Sequence, residues 1–590
     1  MAAEGMIRVA TGDGTMGQDG QKLFITDAIG PFFRGTRHRR VNWSKIPFAD
    51  FQPEGKLDEA RLSNVAREFE VFCAHAVAAG FNAISLDDVA HLADSADYPD
   101  SLRDLVAGCR RCFNRFLKIA SRYGLKVFLT CDVMFFPAGC DDALQKKIAL
   151  PDFLAGCLRE LFSTFDGIAG IIIRIGESDG LDVRDVFRSR LTIRTPAQCR
   201  RWIAALLEVC EKFQRDLVVR TWSVGAYRIG DLIWNRDTFS RVFDSFDSDR
   251  LIISMKYGET DFFRFLPLNP RLFSGRHRKI VELQARREYE GCGEFPSFIG
   301  WDYQRYRDEL LAGGANLAGI MVWCQTGGWT TFRRLTWLKG SSVWNEINAH
   351  VTVRLFRDGM STEDAIADWC ASNGRGEIAY DLLHLLRLSD EVIRELLYID
   401  DFAEQKLFFR RLRVPPLLWI FWDQIVITHA MSRTLDCFVR DGRRQIRRAE
   451  IALQKIDRMR ELARRCGLPE EDVVFERDTF EILAAAREYF FLPPSPEREQ
   501  RLHSLARDYL QRHPDRHYSV RLDFHPAPLK RRTLERIFRV LIRRQRGYRW
   551  LDRIVTLRLL SWLYPLLRRR VNLLPDFASE RAMGIDAVFK

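Results

Sequence analysis

Eight short apolar runs alternate with helical segments along the first 323 residues, and no other feature narrows the fold as far. The runs fall at 22–26, 83–86, 126–130, 169–175, 217–222, 251–255, 280–283 and 319–323. Their length and β-branched content mark them as strands. Between them lie amphipathic segments such as 57–79, closed by Gly80, and 102–123, closed by Gly124, where a glycine cap is expected. Further helices are expected at 150–165 and 196–213. Such alternation implies a parallel sheet, and eight repeats imply its closure into a (β/α)8 TIM barrel. An open doubly wound sheet would carry a glycine-rich phosphate turn after strand one, but DAIGPFFRG does not match GxGxxG.

A barrel takes about 250 residues, so a chain of 590 has room for more. The expected division is a barrel at 1–340, an all-α C-terminal domain at 341–528 and a basic amphipathic helical tail at 529–590. Helical patterns dominate the second part, for example at 379–397, 417–438 and 441–465, with Pro493-Pro494-Ser495-Pro496 as a break. An apolar share of 47% with 29% charged residues describes a globular chain able to bury a core, and excludes a disordered or fibrous one. The N-terminus lacks a basic start and apolar core of secretory type, and no apolar run reaches spanning length. A cytoplasmic protein is expected. Thirteen scattered cysteines, an odd count, fit free thiols, with the Cys109/Cys112 pair structural in a helix. No His or Cys spacing suggests a metal, and no cofactor is expected.

The residues just beyond each strand form the active-site face of such a barrel. Asp87 and Asp88 follow the second run, Asp132 the third, Glu177 the fourth, Lys256 and Asp261 the sixth, and Glu288 and Glu290 the seventh. Glu177, Asp261 and Glu288 are the candidate catalytic residues, because cleaving a glycosidic bond needs one carboxylic acid and one carboxylate at a shared mouth. A strand-end carboxylate can equally cap a helix or pair with a loop arginine, and Arg286 and Arg287 stand beside Glu288. Trp222, Tyr257, Trp301, Trp323 and Trp329 lie at or past strand ends, where a ring can stack on sugar or simply fill the core.

The segment ISMKYGETDFFRFLPLNPRLF, followed by VELQARREYEG, resembles the family-67 α-glucuronidases. It does so through Lys256, Gly258, Asp261, Phe262, Pro267, Pro270, Glu288, Tyr289 and Gly291. GESDG at 176–180 and RTW at 220–222 resemble that family more loosely, as does NEINAHVTVRLFRDGMSTEDAIADW, the segment ahead of its helical domain. The resemblance implies an inverting glycoside hydrolase acting on a uronic-acid-containing glycan. Glu177 would protonate the leaving oxygen, and Asp261 and Glu288 would activate and position water. Lys256 and Arg220 would hold the sugar carboxylate. From their places at strand ends, Trp222, Trp323, Tyr257 and Asp132 are further expected to bind substrate. The chain departs from the family in entering its first strand without a preceding β-rich domain, and in having Gly176 before Glu177.

The stretch 529–570 holds 14 Lys or Arg against Glu535 and Asp552, so its balance of +12 equals that of the whole chain. Leu534, Ile537, Phe538 and Leu541 fall on one helical face. Such a segment suits peripheral contact with an anionic inner-membrane surface. The expected partner is an acidic oligo- or polysaccharide. Nucleic acid is not expected, since no helix-turn-helix or zinc-finger spacing accompanies the charge. A sugar-transferring enzyme of polysaccharide assembly and a non-catalytic carbohydrate-binding protein are the alternative readings.

Overall fold

The computed structural model describes residues 22–28, 57–137, 149–176, 186–223, 227–325, 334–338, 340–409 and 423–526, with short runs and single positions between them and on to 550. Eight strands close a parallel barrel: β1 (Leu23–Asp27), β2 (Ala83–Leu86), β3 (Lys126–Asp132), β4 (Ile168–Gly176), β5 (Asp216–Ser223), β6 (Leu251–Lys256), β7 (Arg278–Gln284) and β8 (Leu317–Trp323). Each pairs with its sequence neighbour, and β8 returns to β1 with Leu23 opposite Gly319 and Thr26 opposite Val322. All eight runs read from the sequence are barrel strands. Runs such as III at 171–173 in β4 are apolar on both faces because one face fills the barrel and the other lies under helices.

Helices follow where their start and stop signals stand. Helix α1 (Glu59–Ala79) begins at Asp58, whose carboxylate accepts the Arg61 N–H at 2.9 Å, and stops at Gly80 with φ +103°. Helices α2 (Asp100–Arg122), α3 (Leu150–Thr164) and α4 (Pro196–Lys212) fill the next crossovers. The last opens with a reciprocal Thr195/Gln198 capping box. After β5 comes the short α5 (Arg236–Phe243), and β7 is followed by α6 (Gly300–Ala312). The crossover from β6 to β7 has only a 3-10 turn, Pro270–Phe273. Pro267 and Pro270 lack the N–H that an α-helix would need there. That crossover carries Asp261.

After β8 the chain enters α7 (Val343–Arg357), α8 (Thr362–Ser372) and α9 (Ala379–Val392), then α10 (His429–Leu435), α11 (Gly442–Arg465), α12 (Glu470–Phe491) and α13 (Pro496–Arg512). The expected helical C-terminal region is present, and the proline break falls between α12 and α13. It also holds two small three-stranded sheets. Lys406–Phe409 lies between Leu412–Val414 and Ile542–Arg543, and Gln424–Thr428 lies between Ile420–Phe421 and Ser519–Asp523. The helix expected over 417–438 is therefore corrected to strand Gln424–Thr428 followed by α10. The reason is visible in QIVIT, a β-branched run whose Thr428 caps α10 by accepting the Met431 N–H. The basic tail lies outside the described residues beyond 550 and for most positions from 527 onward.

The barrel seam depends on one glycine. Gly319 has φ +149°, and a Cβ there would sit 1.8 Å from the Leu23 carbonyl oxygen. Gly319→Ala should lower stability in urea unfolding by about 3 kcal/mol or more. Gly156→Ala, inside α3 with nothing within 4 Å of the added Cβ, should raise it by about 0.5–1 kcal/mol in the same measurement.

Candidate active site

The C-terminal ends of the barrel strands carry charge where an aliphatic layer would ordinarily fill the ring. At β6 and β7 the side chains converge tightly. Lys256, the last residue of β6, donates from Nζ to Asp261 Oδ1 at 2.6 Å. The same oxygen accepts the Phe262 N–H at 2.9 Å, while Asp261 Oδ2 accepts the Tyr289 hydroxyl at 2.9 Å. The ammonium also sits 3.8 Å from the ring centroid of half-buried Trp222 and 4.6 Å from that of Phe262. Cation and indole thus form one platform at the rim.

Glu288 stands beside this group and is fully buried. Gln284, the last residue of β7, holds it twice: its Oε1 accepts the Glu288 N–H at 3.0 Å, and its Nε2 donates to Glu288 Oε2 at 3.3 Å. Glu288 Oε1 accepts no hydrogen bond among the described residues. Burial, and then the charge of Asp261, push this carboxyl up to about 7, against the opposing pull of Lys256, Gln284 and Arg286. The structural rival, an ion pair between Glu288 and its neighbouring arginines, is not formed. Arg286 donates to the carbonyls of Arg334 and Phe332, and Arg287 to Glu290.

Deeper in the ring, Arg220 of β5 donates to both oxygens of Glu282 at 3.0 and 2.9 Å and stacks on Trp323 at 4.7 Å. Ser254 and the Trp323 indole N–H complete the donors to Glu282. Burial pushes this carboxyl upward, but Arg220, Lys256 and these bonds hold it below its ordinary range. Arg220 and Trp323, expected to meet substrate directly, are built into a buried ion-pair layer. Both are buried, and both donate to Glu282.

A second cluster spans β2 to β4. Arg174 of β4 pairs with Asp132 of β3 at 2.6 Å and reaches Asp87, just past β2, at 3.7 Å. Arg174 lies in register with both Asp132 and Arg220, so the three share one face of neighbouring strands. Thr130 donates to Asp87 Oδ1, and Oδ2 has no partner among the described residues. Burial pushes Asp87 up to about 8, with Asp88 and Asp132 adding to the rise and Arg174 and Thr130 opposing it. His91 donates its backbone N–H to Asp88 and meets the same oxygen through Nδ1 at 2.7 Å.

The structure thus brings Lys256, Trp222, Asp261 and Glu288 together, and places Asp132 and Arg220 in adjoining ion pairs. Glu177 and Trp329 lie outside the described residues. Three readings are corrected. Tyr257 is wholly buried, donating to the Phe263 carbonyl at 2.7 Å and stacking on Tyr306, so it is scaffold and not a substrate contact. Glu290 is locked between Arg264 and Arg287, with Ser297 and Tyr398 as further donors, which holds it well below the usual carboxylate range. Trp301 belongs to α6 and donates to Glu363 of α8. Sequence reasoning missed Arg174 and Glu282. Their signal was a charged residue inside an otherwise aliphatic strand run.

No protein-family model matches the chain and no curated protein matches it, so the α-glucuronidase resemblance rests on the quoted residues. Among solved structures, the chain is similar to a GH138 enzyme targeting pectin rhamnogalacturonan II, with TM-score 0.49 and 12% identity, over 84% of this chain and 61% of that one. It is also similar to the O-GlcNAc hydrolase of Thermobaculum terrenum, with TM-score 0.38 and 8% identity, over 85% and 94% of the two chains. A third is a glycoside hydrolase 5 lichenase of Caldicellulosiruptor sp. F32, with TM-score 0.33 and 12% identity, over 57% and 93%. These describe a likeness of shape alone.

Asp87 supplies a test of the charged layer. Its folded-state pKa lies above the unfolded value, so between about pH 4 and pH 8 the folded chain keeps a proton that the unfolded chain has lost. Stability from this group is full below that window and falls as pH rises through it. Asp87→Asn should therefore gain stability relative to the parent with rising pH, at up to about 1.4 kcal/mol per unit, as read by urea midpoints across the window. A difference that stays flat would contradict the protonated buried carboxyl.

Proposed function

We propose that the chain is an inverting glycoside hydrolase acting on uronic-acid-containing glycans, with Glu288 and Asp261 as the water-activating pair. The observation that carries this reading is Glu288 itself. It is a buried carboxyl raised to about 7, with one oxygen unpartnered, set beside a carboxylate clamped by Lys256 and Tyr289. A base poised near neutral pH combines a useful ionised fraction with real proton affinity. Glu288 Oε1 would take a proton from water as oxygen attacks the anomeric carbon. Asp261, fixed by three donors, would hold that water in line.

The acid that protonates the leaving oxygen is assigned to Glu177 on the family-67 resemblance. In the chain it follows Gly176, the last residue of β4. The preference for an acidic sugar is supported by Lys256, the cation that ends β6 and pairs with Asp261 rather than with the buried Glu282. Lys256 lies closest to the rim through its contact with Trp222, whose ring offers a stacking face for a pyranose.

Glu288→Gln, Asp261→Asn and Glu177→Gln should each lower kcat on uronosyl oligosaccharides by roughly 10²- to 10⁴-fold, with thermal midpoints preserved. Full turnover in all three would end the assignment. If Glu288 is the base, kcat/KM should rise with pH through about 7. Because the Asp261 charge helps raise Glu288, the residual activity of Asp261→Asn should show that rise at lower pH. NMR of the first-formed anomer checks inversion.

A further inference from the structure

The β6–β7 crossover that carries Asp261 goes on to wall a second cleft. Phe265, Leu266 and Pro267 form one side of a cavity of about 540 Å³. Asp302 and Arg305 of α6 line it with Arg394, Glu404 and Lys406, which follow α9 in the chain. Its volume falls in the range of sites that hold small molecules. Lys256, Trp222, Asp261 and Glu288 are not among its described lining residues, so the cleft is separate from the mouth. Phe265 takes φ +63°, a strained backbone for a bulky residue, and such conformations gather at ligand clamps. Its half-buried ring is held by the edge of Tyr398 at 5.5 Å.

The polar side of the cleft is set before any ligand arrives. Arg394 donates from Nε to Asp390 at 2.9 Å and from Nη2 to Asp302. Arg305 donates from Nη2 to the other Asp302 oxygen at 2.9 Å. Asp302 is anchored in turn by Arg264 at 3.6 Å, and Lys406 pairs with Glu259 at 3.3 Å. Nη1 of Arg394, and Nε and Nη1 of Arg305, donate to nothing among the described residues. The Arg305 side chain is 60% exposed. Donors fixed in this way lose little freedom when a ligand accepts from them. Charge in the lining nearly balances, with Arg305, Arg394 and Lys406 against Asp302 and Glu404, and Asp390 and Glu259 stand behind the cations.

We propose that this cleft binds a neutral saccharide, its hydroxyl oxygens accepting from Arg305 and Arg394 and its apolar ring face lying on Phe265 and Pro267. Hydroxyl groups both donate and accept, so a sugar satisfies guanidinium and carboxylate together. A carboxylate- or phosphate-rich ligand gains from the cations and loses as much beside Asp302 and Glu404. The apolar wall selects a pyranose, one face of which is C–H, over an open-chain polyol. The mouth, with Lys256 at its rim, has the opposite preference. The site is independent of the glycosidase assignment, as none of its residues belongs to the candidate active site.

The test is saturation-transfer NMR of xylotriose and cellotriose with the full chain carrying Glu288→Gln, so that turnover does not enter the readout. At least one of the two should bind, and excess trigalacturonate should not displace it. Arg305→Gln and Arg394→Gln, added singly, should each weaken binding by about 10-fold or more with the thermal midpoint preserved in Arg305→Gln. Trp222→Ala, at the mouth, should leave it unchanged. The proposal is overturned if neither trisaccharide binds, if trigalacturonate displaces the bound one, if both arginine variants bind as tightly as the parent, or if Trp222→Ala weakens binding as much as they do.

Discussion

Arg220 and Glu282 meet inside a closed ring of strands, and the rest of the mouth is arranged around that pair. Ionised groups taken out of water are tolerable only when each finds a partner and most of its hydrogen-bonding positions are filled. Glu282 meets this demand with Arg220, Ser254 and Trp323. Removing one member would strand the other at a cost of about 3–5 kcal/mol. The pair also leaves Lys256, one pleat farther along β6, to serve Asp261 at the rim. Interior electrostatics thus decide which cation is left to pair with Asp261.

The same low-dielectric setting treats neighbouring carboxyls differently. Glu290, surrounded by Arg264 and Arg287, stays charged well below the ordinary range. Glu288, two residues earlier, receives one amide hydrogen bond and the repulsion of Asp261, and rises to about 7. Across the ring, Asp87 rises to about 8 although Arg174 is close, because burial outweighs that charge. Two carboxyls able to hold a proton near neutrality therefore stand on opposite flanks of one mouth, separated by ion-paired ones.

Much of this could be read along the chain, and the exceptions are instructive. Every barrel strand stood out because β-branched runs repeat between capped helices, and strand polarity then sends Asp132, Lys256, Asp261 and Glu288 to one end. The spacing that marked Glu288 marked Glu290 equally well, yet one oxygen of the first is unpartnered and the second is saturated. Tyr257 follows Lys256 directly. One step along the chain turns its side chain from the mouth to the packed layer around Tyr306. Strand Gln424–Thr428 was obscured by helical patterns on both sides, and its pairing partner Ser519–Asp523 lies about ninety residues away.

The amino-acid sequence by itself determined the alternation of strands and helices, the closure of eight strands into a ring, and the rim on which the chemistry gathers. These follow from local propensities and from a period set by backbone geometry. Only the tertiary structure decided which charges neutralise one another: Arg220 with Glu282, Arg174 with Asp132, Arg287 with Glu290, and Lys256 with Asp261. Partner choice depends on separations across the ring of a few ångströms. A carboxylate's burial and its nearest cation, which set its proton affinity, exist only once strands distant in sequence stand side by side.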